Sequence, residues 1–237
     1  MLQTSRSFLI AAFTAVLLTA CSPADGEDAG SNGVEQSEAG FLKTVSFGEQ
    51  NGSVIIGNPD ADVELVEYAS LTCGHCKSFH IDVLSRIKAD YIATGKVRFV
   101  FQEFPTEPIN VALAGFSLAR CSGESGYLGF IDDFFGSQDE IFTSGRAGTI
   151  EQTLKDLGKR HGVEEAEFEN CITNRDHRRA VSESVEYGRS QNVNSTPSLI
   201  LNGKKLDSPA SRTPDGLAAL IDEALAEAAN TDAEIDQ

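Results

Sequence analysis

Cys73-Gly74-His75-Cys76 places two thiols two residues apart with an imidazole between them. The run before it, Val63-Glu64-Leu65-Val66-Glu67-Tyr68-Ala69, reads as a strand, and the run after it reads as a helix from about Gly74 to Ala93. The first sulfur therefore stands at a helix N-terminus, where unpaired backbone N–H groups and the positive end of the dipole favour a thiolate. The second lies one helical turn deeper, within reach of an intramolecular disulfide. His75 adds positive charge beside the thiolate. The chemistry this predicts is thiol–disulfide exchange. A zinc site would need a second Cys or His pair at ligand spacing. Cys121 and Cys171 are single and far apart, and only His80 is a close addition, so no metal is expected.

The elements that must hold this motif follow from pattern. Ser53-Val54-Ile55-Ile56 reads as a first strand, stopped by the turn cluster Gly57-Asn58-Pro59-Asp60. The strand over Val63–Ala69 carries the motif at its carboxyl end, where α/β sites lie. The following helix shows one apolar stripe, Phe79, Val83, Leu84, Ile87 and Tyr91. Gly95 breaks it, and Lys96–Phe101 reads as a third strand ending near Pro105. From about Asn110 to Ser190 the pattern is helical, too much for a single crossover between strands. It reads as an inserted helical subdomain over about 107–190. Sheet pattern returns at Pro197–Leu201, and Asn202-Gly203 is a type I′ hairpin signal leading into Lys204-Lys205-Leu206. A last helix starts near Thr213-Pro214-Asp215, with proline in its first turn. His80, His161 and His177 read as surface or helix-packing positions.

Composition narrows the class. With 237 residues, 41% hydrophobic and 23% charged, the chain is globular in character and long enough to bury a core. Its net charge of −17 argues against electrostatic binding of nucleic acid or anionic lipid. Residues 1–20 read as a signal peptide, with Arg6 as the positive n-region and Phe8–Leu18 as an apolar stretch too short for a permanent span. Leu18-Thr19-Ala20-Cys21 resembles the bacterial lipoprotein lipobox, which implies lipidation of Cys21; a soluble secreted protein with a stray cysteine is the alternative. Residues 21–40 read as a flexible polar tether, 41–229 as the folded domain and 230–237 as a disordered acidic tail. Assigning Cys21 to lipid leaves four cysteines in an oxidising compartment. Cys121 and Cys171 are then expected to form a structural disulfide, the alternative being two small buried hydrophobes.

The order of strand, CxxC, helix, strand, helical insertion, Thr-Pro, hairpin and helix resembles the DsbA-like thioredoxin-fold oxidoreductases over roughly residues 50–226. The resemblance is carried by Thr72-Cys73-Gly74-His75-Cys76, by Asn194-Ser195-Thr196-Pro197-Ser198 and by Gly57-Asn58-Pro59-Asp60-Ala61. It implies an α/β thioredoxin fold with an inserted helical subdomain. It implies that Pro197 is cis and aims the Thr196 backbone at a substrate strand beside Cys73. It also implies an acidic residue beneath the active site at Glu67, which strand alternation places on the face of Val63 and Leu65. Such a carboxyl would exchange a proton with Cys76; the competing reading is a solvent-facing carboxylate at a strand end. Gly-His replaces the family's commonest Pro-His, as in eukaryotic disulfide isomerases. That departure bears on the size of the thiolate stabilisation by His75 and not on its sign.

The implied function is a monomeric thiol:disulfide oxidoreductase that introduces disulfides into exported proteins. It would act on the periplasmic side of a membrane without a cofactor, and pass electrons to a membrane acceptor of the DsbB type. Isomerase or reductase activity is the alternative within the class. Family isomerases carry a substantial N-terminal dimerisation domain, for which residues 22–50 are too short and polar. Outside the class stands a non-catalytic periplasmic chaperone or metallochaperone, which has no need of Cys73.

Overall fold

The structure is a computed structural model that describes residues 40–48 and 50–235. The signal peptide, lipidated Cys21 and tether expected up to residue 39 lie outside the described residues, as do residues 236 and 237.

Six strands form one sheet: β1 (Val45–Phe47), β2 (Val54–Gly57), β3 (Val63–Ala69), β4 (Val97–Glu103), β5 (Ser198–Leu201) and β6 (Lys204–Lys205). Their spatial order is β1-β2-β4-β3-β5-β6. β3 and β4 run parallel, with Val63 opposite Val97 and Glu67 opposite Phe101, and every other pair is antiparallel. In β3 the residues Val63, Leu65 and Glu67 point into the core while Glu64 and Val66 are half-exposed. That alternation puts a carboxylate on the apolar face.

The parallel crossover from β3 to β4 is a continuous helical run over residues 74–92 (α1). Its segments Phe79–Leu84 and Lys88–Ile92 are π-helical, which widens the ladder while keeping Phe79, Val83, Leu84, Ile87 and Tyr91 buried. Between β4 and β5 lie α2 (Ile109–Cys121), α3 (Gly123–Gly136), α4 (Gln138–Ala147), α5 (Ile150–Arg160), α6 (Phe168–Ile172) and α7 (Arg175–Ser190). The insertion packs on the sheet through fully buried aromatics, among them Phe116, Tyr127, Phe130, Phe134 and Phe135. Truncating one of these to alanine would cost about 3–5 kcal/mol. The hairpin between β5 and β6 turns on Asn202 and Gly203, both at positive φ (45° and 77°), as a type I′ turn requires.

Two features differ from the sequence reading. A short edge strand, β1, precedes the first strand predicted, because Val45 and Phe47 find partners on β2 that no local pattern announces. The last helix, α8 (Pro214–Ile235), runs past residue 229 instead of ending in a disordered tail. Ala224-Leu225-Ala226-Glu227-Ala228-Ala229 is a run of strong helix formers, and Thr231 Oγ1 donates back to the Glu227 carbonyl at 3.0 Å. No helix among the described residues is long and apolar enough to cross a membrane.

Candidate active site

Cys73 is the N-cap of α1. Its backbone is extended (φ −88°, ψ 119°), and its Sγ accepts the Cys76 backbone N–H at 3.3 Å. The nucleophile candidate therefore does the job of a capping oxygen, and negative charge on it is stabilised by the helix end. The Cys73 thiol is held down to about 5, first by the hydrogen bond from the Cys76 thiol and then by the Thr196 side chain and the backbone N–H groups of Cys76 and His75. Partial burial opposes them without prevailing. His75 acts on the sulfur through its main-chain N–H, while its imidazole is exposed; the sequence reading assigned that effect to ring charge.

Cys76 is fully buried one turn further along. Burial pushes its thiol far up, and the nearby Cys73 and Glu67 add to the shift. One sulfur is thus a thiolate at neutral pH while its neighbour holds its proton.

The chain brings Thr196 and Pro197 against this pair from β5. The Thr196 carbonyl oxygen lies 3.5 Å from Cys73 Sγ, and the Thr196–Pro197 bond is cis. Beside them a cavity of about 210 Å³ is lined by His75, Phe79, Val83, Pro197 and Arg212. The helical insertion grips the loop from the other side. Buried Gln138 donates through Nε2 to the carbonyls of Leu71 (2.8 Å) and Cys73 (3.2 Å). Thr72 Oγ1 donates to the Thr106 carbonyl at 2.8 Å, and Ser70 Oγ accepts the Thr106 N–H at 2.9 Å.

Glu67 lies beneath the dithiol with no exposed surface and no hydrogen bond to either carboxylate oxygen. Burial raises its carboxyl from 4.5 to about 8, with the Cys73 charge adding and Lys88 and Arg212 opposing. His80 faces it: Nε2 is 4.0 Å from Glu67 Oε2, and Nδ1 is 3.2 Å from Asp132 Oδ1 on α3. His80 is buried, stacks on Phe135 at 4.6 Å between centroids, and is lowered to about 4 by that burial. Sequence pattern alone puts His80 among surface or helix-packing positions. Its signal was present: it follows Phe79 on the inward stripe, four residues after Cys76. Gln138 carried no such signal.

Away from the dithiol, Cys121 and Cys171 are bonded, with Cα atoms 5.9 Å apart, tying α2 to α6. No cluster of three or more potential metal ligands occurs among the described residues.

An insertion of six helices on a mixed sheet, with a CxxC at the parallel crossover and a cis-proline loop opposite, defines a thioredoxin-fold redox protein. Residues 49–223 match the family model for thioredoxin, and the chain belongs to that family. It is similar to "Putative protein-disulfide oxidoreductase" of Rickettsia bellii, at 26% identity over 83% of this chain and 74% of that one. It is also similar to "Probable disulfide bond formation protein D" of Bacillus cereus, at 29% identity over 62% of this chain and 69% of that one. The chain thus spans about two thirds to three quarters of these relatives' own length. The crystal structure of alpha-DsbA1 from Wolbachia pipientis superposes with a TM-score of 0.64 at 23% identity, covering 75% of this chain and 92% of that one. The fold is DsbA-like.

Proposed function

We propose that this protein is a thiol:disulfide oxidoreductase that introduces disulfides into exported proteins by exchange through Cys73 and Cys76. The observation that carries the reading is the opposed state of the two sulfurs, Cys73 held down to about 5 and Cys76 pushed far up. A stabilised thiolate favours the reduced form, which makes the disulfide form the stronger oxidant. The names of the relatives point the same way.

In the oxidised protein a substrate thiolate attacks Cys73 Sγ, and the Cys73–Cys76 bond breaks. The electron pair leaves on Cys76, which takes the proton that Glu67 holds at neutral pH. A second substrate thiolate then attacks the substrate sulfur of the mixed disulfide and expels Cys73 as its stable thiolate. The substrate has lost two electrons and gained a disulfide; the Cys73/Cys76 pair has gained the electrons. The groove beside Pro197 receives the substrate chain, with the Thr196 main chain alongside it and His75 at the rim. Reoxidation by a membrane acceptor of the DsbB type completes the cycle, on a monomer tethered at lipidated Cys21 on the periplasmic side. The Leu18–Cys21 motif supports the tether, and fractionation of wild type against Cys21→Ala tests it.

Trapping tests the exchange itself. Cys76→Ala accumulates mixed disulfides with client proteins, while Cys73→Ala traps none and leaves a reduced, unfolded test protein unoxidised. Full activity of Cys73→Ala would sink the redox reading in favour of a binding role. Alkylation of Cys73 only above about pH 8, as for a free thiol, would reverse the direction toward a reductase.

A further inference from the structure

Cys76 and Glu67 are both shut off from water, so a proton passing between them needs a route to solvent. One polar path leads outward through the described residues. Glu67 Oε2 faces His80 Nε2 at 4.0 Å, and His80 Nδ1 meets Asp132 Oδ1 at 3.2 Å. Side-chain exposure rises along it from 0% at Glu67 through 2% at His80 to 44% at Asp132. Both Glu67 oxygens and His80 Nε2 are buried without hydrogen-bond partners, and they face one another. Unpaired polar atoms in a core are destabilising, and a structural role alone would have paired them. The outer end opens on a cavity of about 470 Å³ lined by Leu42, Ser85, Lys88, Ala89, Asp132 and Phe135, with His80 at its floor.

We infer that His80 is a proton-relay residue acting through Glu67, joining the buried dithiol to solvent at Asp132. The inference rests on the exchange reading above. Neutral His80, with Nδ1–H donated to the Asp132 carboxylate, presents a bare Nε2 to Glu67. When Cys76 closes the disulfide, Glu67 and His80 close from 4.0 Å to hydrogen-bond distance, Glu67 hands its proton to Nε2, and Nδ1 releases one to Asp132 and water. The emptied Glu67 carboxylate then takes the Cys76 thiol proton, so Glu67 is again protonated once the disulfide has formed. When substrate next breaks the disulfide, the Cys76 thiolate takes a proton from Glu67, Nε2 resupplies Glu67, and Nδ1 is refilled from outside. Each half-reaction restores the tautomer the other requires. The charges facing the imidazole are Glu67 on β3, Lys88 on its own helix and Asp132 on α3, while Cys73 and Arg212 act on Glu67.

The experiment measures two rates on the full chain from about pH 5 to about pH 9. One is oxidation of a reduced, unfolded test protein; the other is closure of the Cys73–Cys76 bond after oxidised glutathione is added. His80→Gln keeps a donor toward Asp132 but carries no proton across; it is expected to slow closure about 10- to 100-fold and to flatten its pH profile. His80→Ala is expected to be equally slow and to recover when free imidazole is added. Closure by His80→Gln within about twofold of wild type, or no recovery of His80→Ala with imidazole, overturns the relay. A wild type that does not oxidise the test protein instead overturns the exchange reading on which the relay rests. If variants at position 80 do not fold, Asp132→Asn decides: about tenfold slower closure supports the path, and an unchanged rate overturns it.

Discussion

Glu67 and Glu103 lie on neighbouring parallel strands, each with no exposed surface, and they have been given opposite surroundings. Glu103 accepts Arg120 Nε at 3.1 and 2.9 Å through its two oxygens, and the Tyr127 hydroxyl at 2.9 Å. Arg120 in turn donates to the Gly52 carbonyl at 2.7 Å. Burial pushes the Glu103 carboxyl up, and Arg120 and Tyr127 offset only part of that rise. Glu67 has no such partner, only an imidazole 4.0 Å away. Equal burial therefore produces a fixed ion pair in one place and a titratable acid in the other. The partner decides, not the depth. Glu103 fastens the helical insertion to the sheet, while Glu67 is left free to change charge beneath the dithiol.

That contrast can be broken first at Glu103. Glu103→Gln leaves the Arg120 charge buried without its counter-ion, and unfolding in urea should find the protein about 3–5 kcal/mol less stable. Unchanged stability would remove the distinction between the two carboxylates. Next to this pair, replacing Cys121 and Cys171 by alanine opens a loop of 50 residues. The loss is up to ~4 kcal/mol by chain entropy, with alkylation of Cys73 unaffected.

Glu67→Gln should act in the other direction. The folded protein holds the Glu67 proton up to about 8 while the unfolded chain releases it near 4.5. The favourable contribution is complete below the lower value and is lost as pH rises through the upper one. The variant should therefore match wild type near pH 4 and exceed it at pH 7 by on the order of 3 kcal/mol, while oxidising substrate more slowly. Equal stability at all pH values would mean that Glu67 is not neutral in the fold. The last test concerns Cys73, whose thiol falls from 9.0 to about 5. It stabilises the reduced form fully above the higher value, and the gain fades as pH falls through the lower one. Melting temperatures of reduced and oxidised protein should converge below about pH 5, and Glu103→Gln should leave that convergence in place.

The local signals in this chain were legible because their physics is local. A period of two over Val63–Ala69, two thiols at a strand-to-helix junction, the stripe from Phe79 to Tyr91 and an Asn-Gly turn each act within a few residues. From these the strand, the crossover helix, the hairpin and the helical insertion follow, and the observed fold contains them. Helix propensity carried α8 to Ile235 where acidity suggested a tail, since alanine and glutamate form helix whatever their charge. Only the tertiary structure decided the rest, because it depends on residues distant in sequence meeting in space. Glu103 finds Arg120 and Tyr127 from other elements, and Gln138 reaches back to the Cys73 carbonyl. β1 exists only because β2 offers it an edge. The stripe beside Phe79 hints that His80 faces inward, but burial against Phe135, with Glu67 on one nitrogen and Asp132 on the other, is a property of three elements packed together.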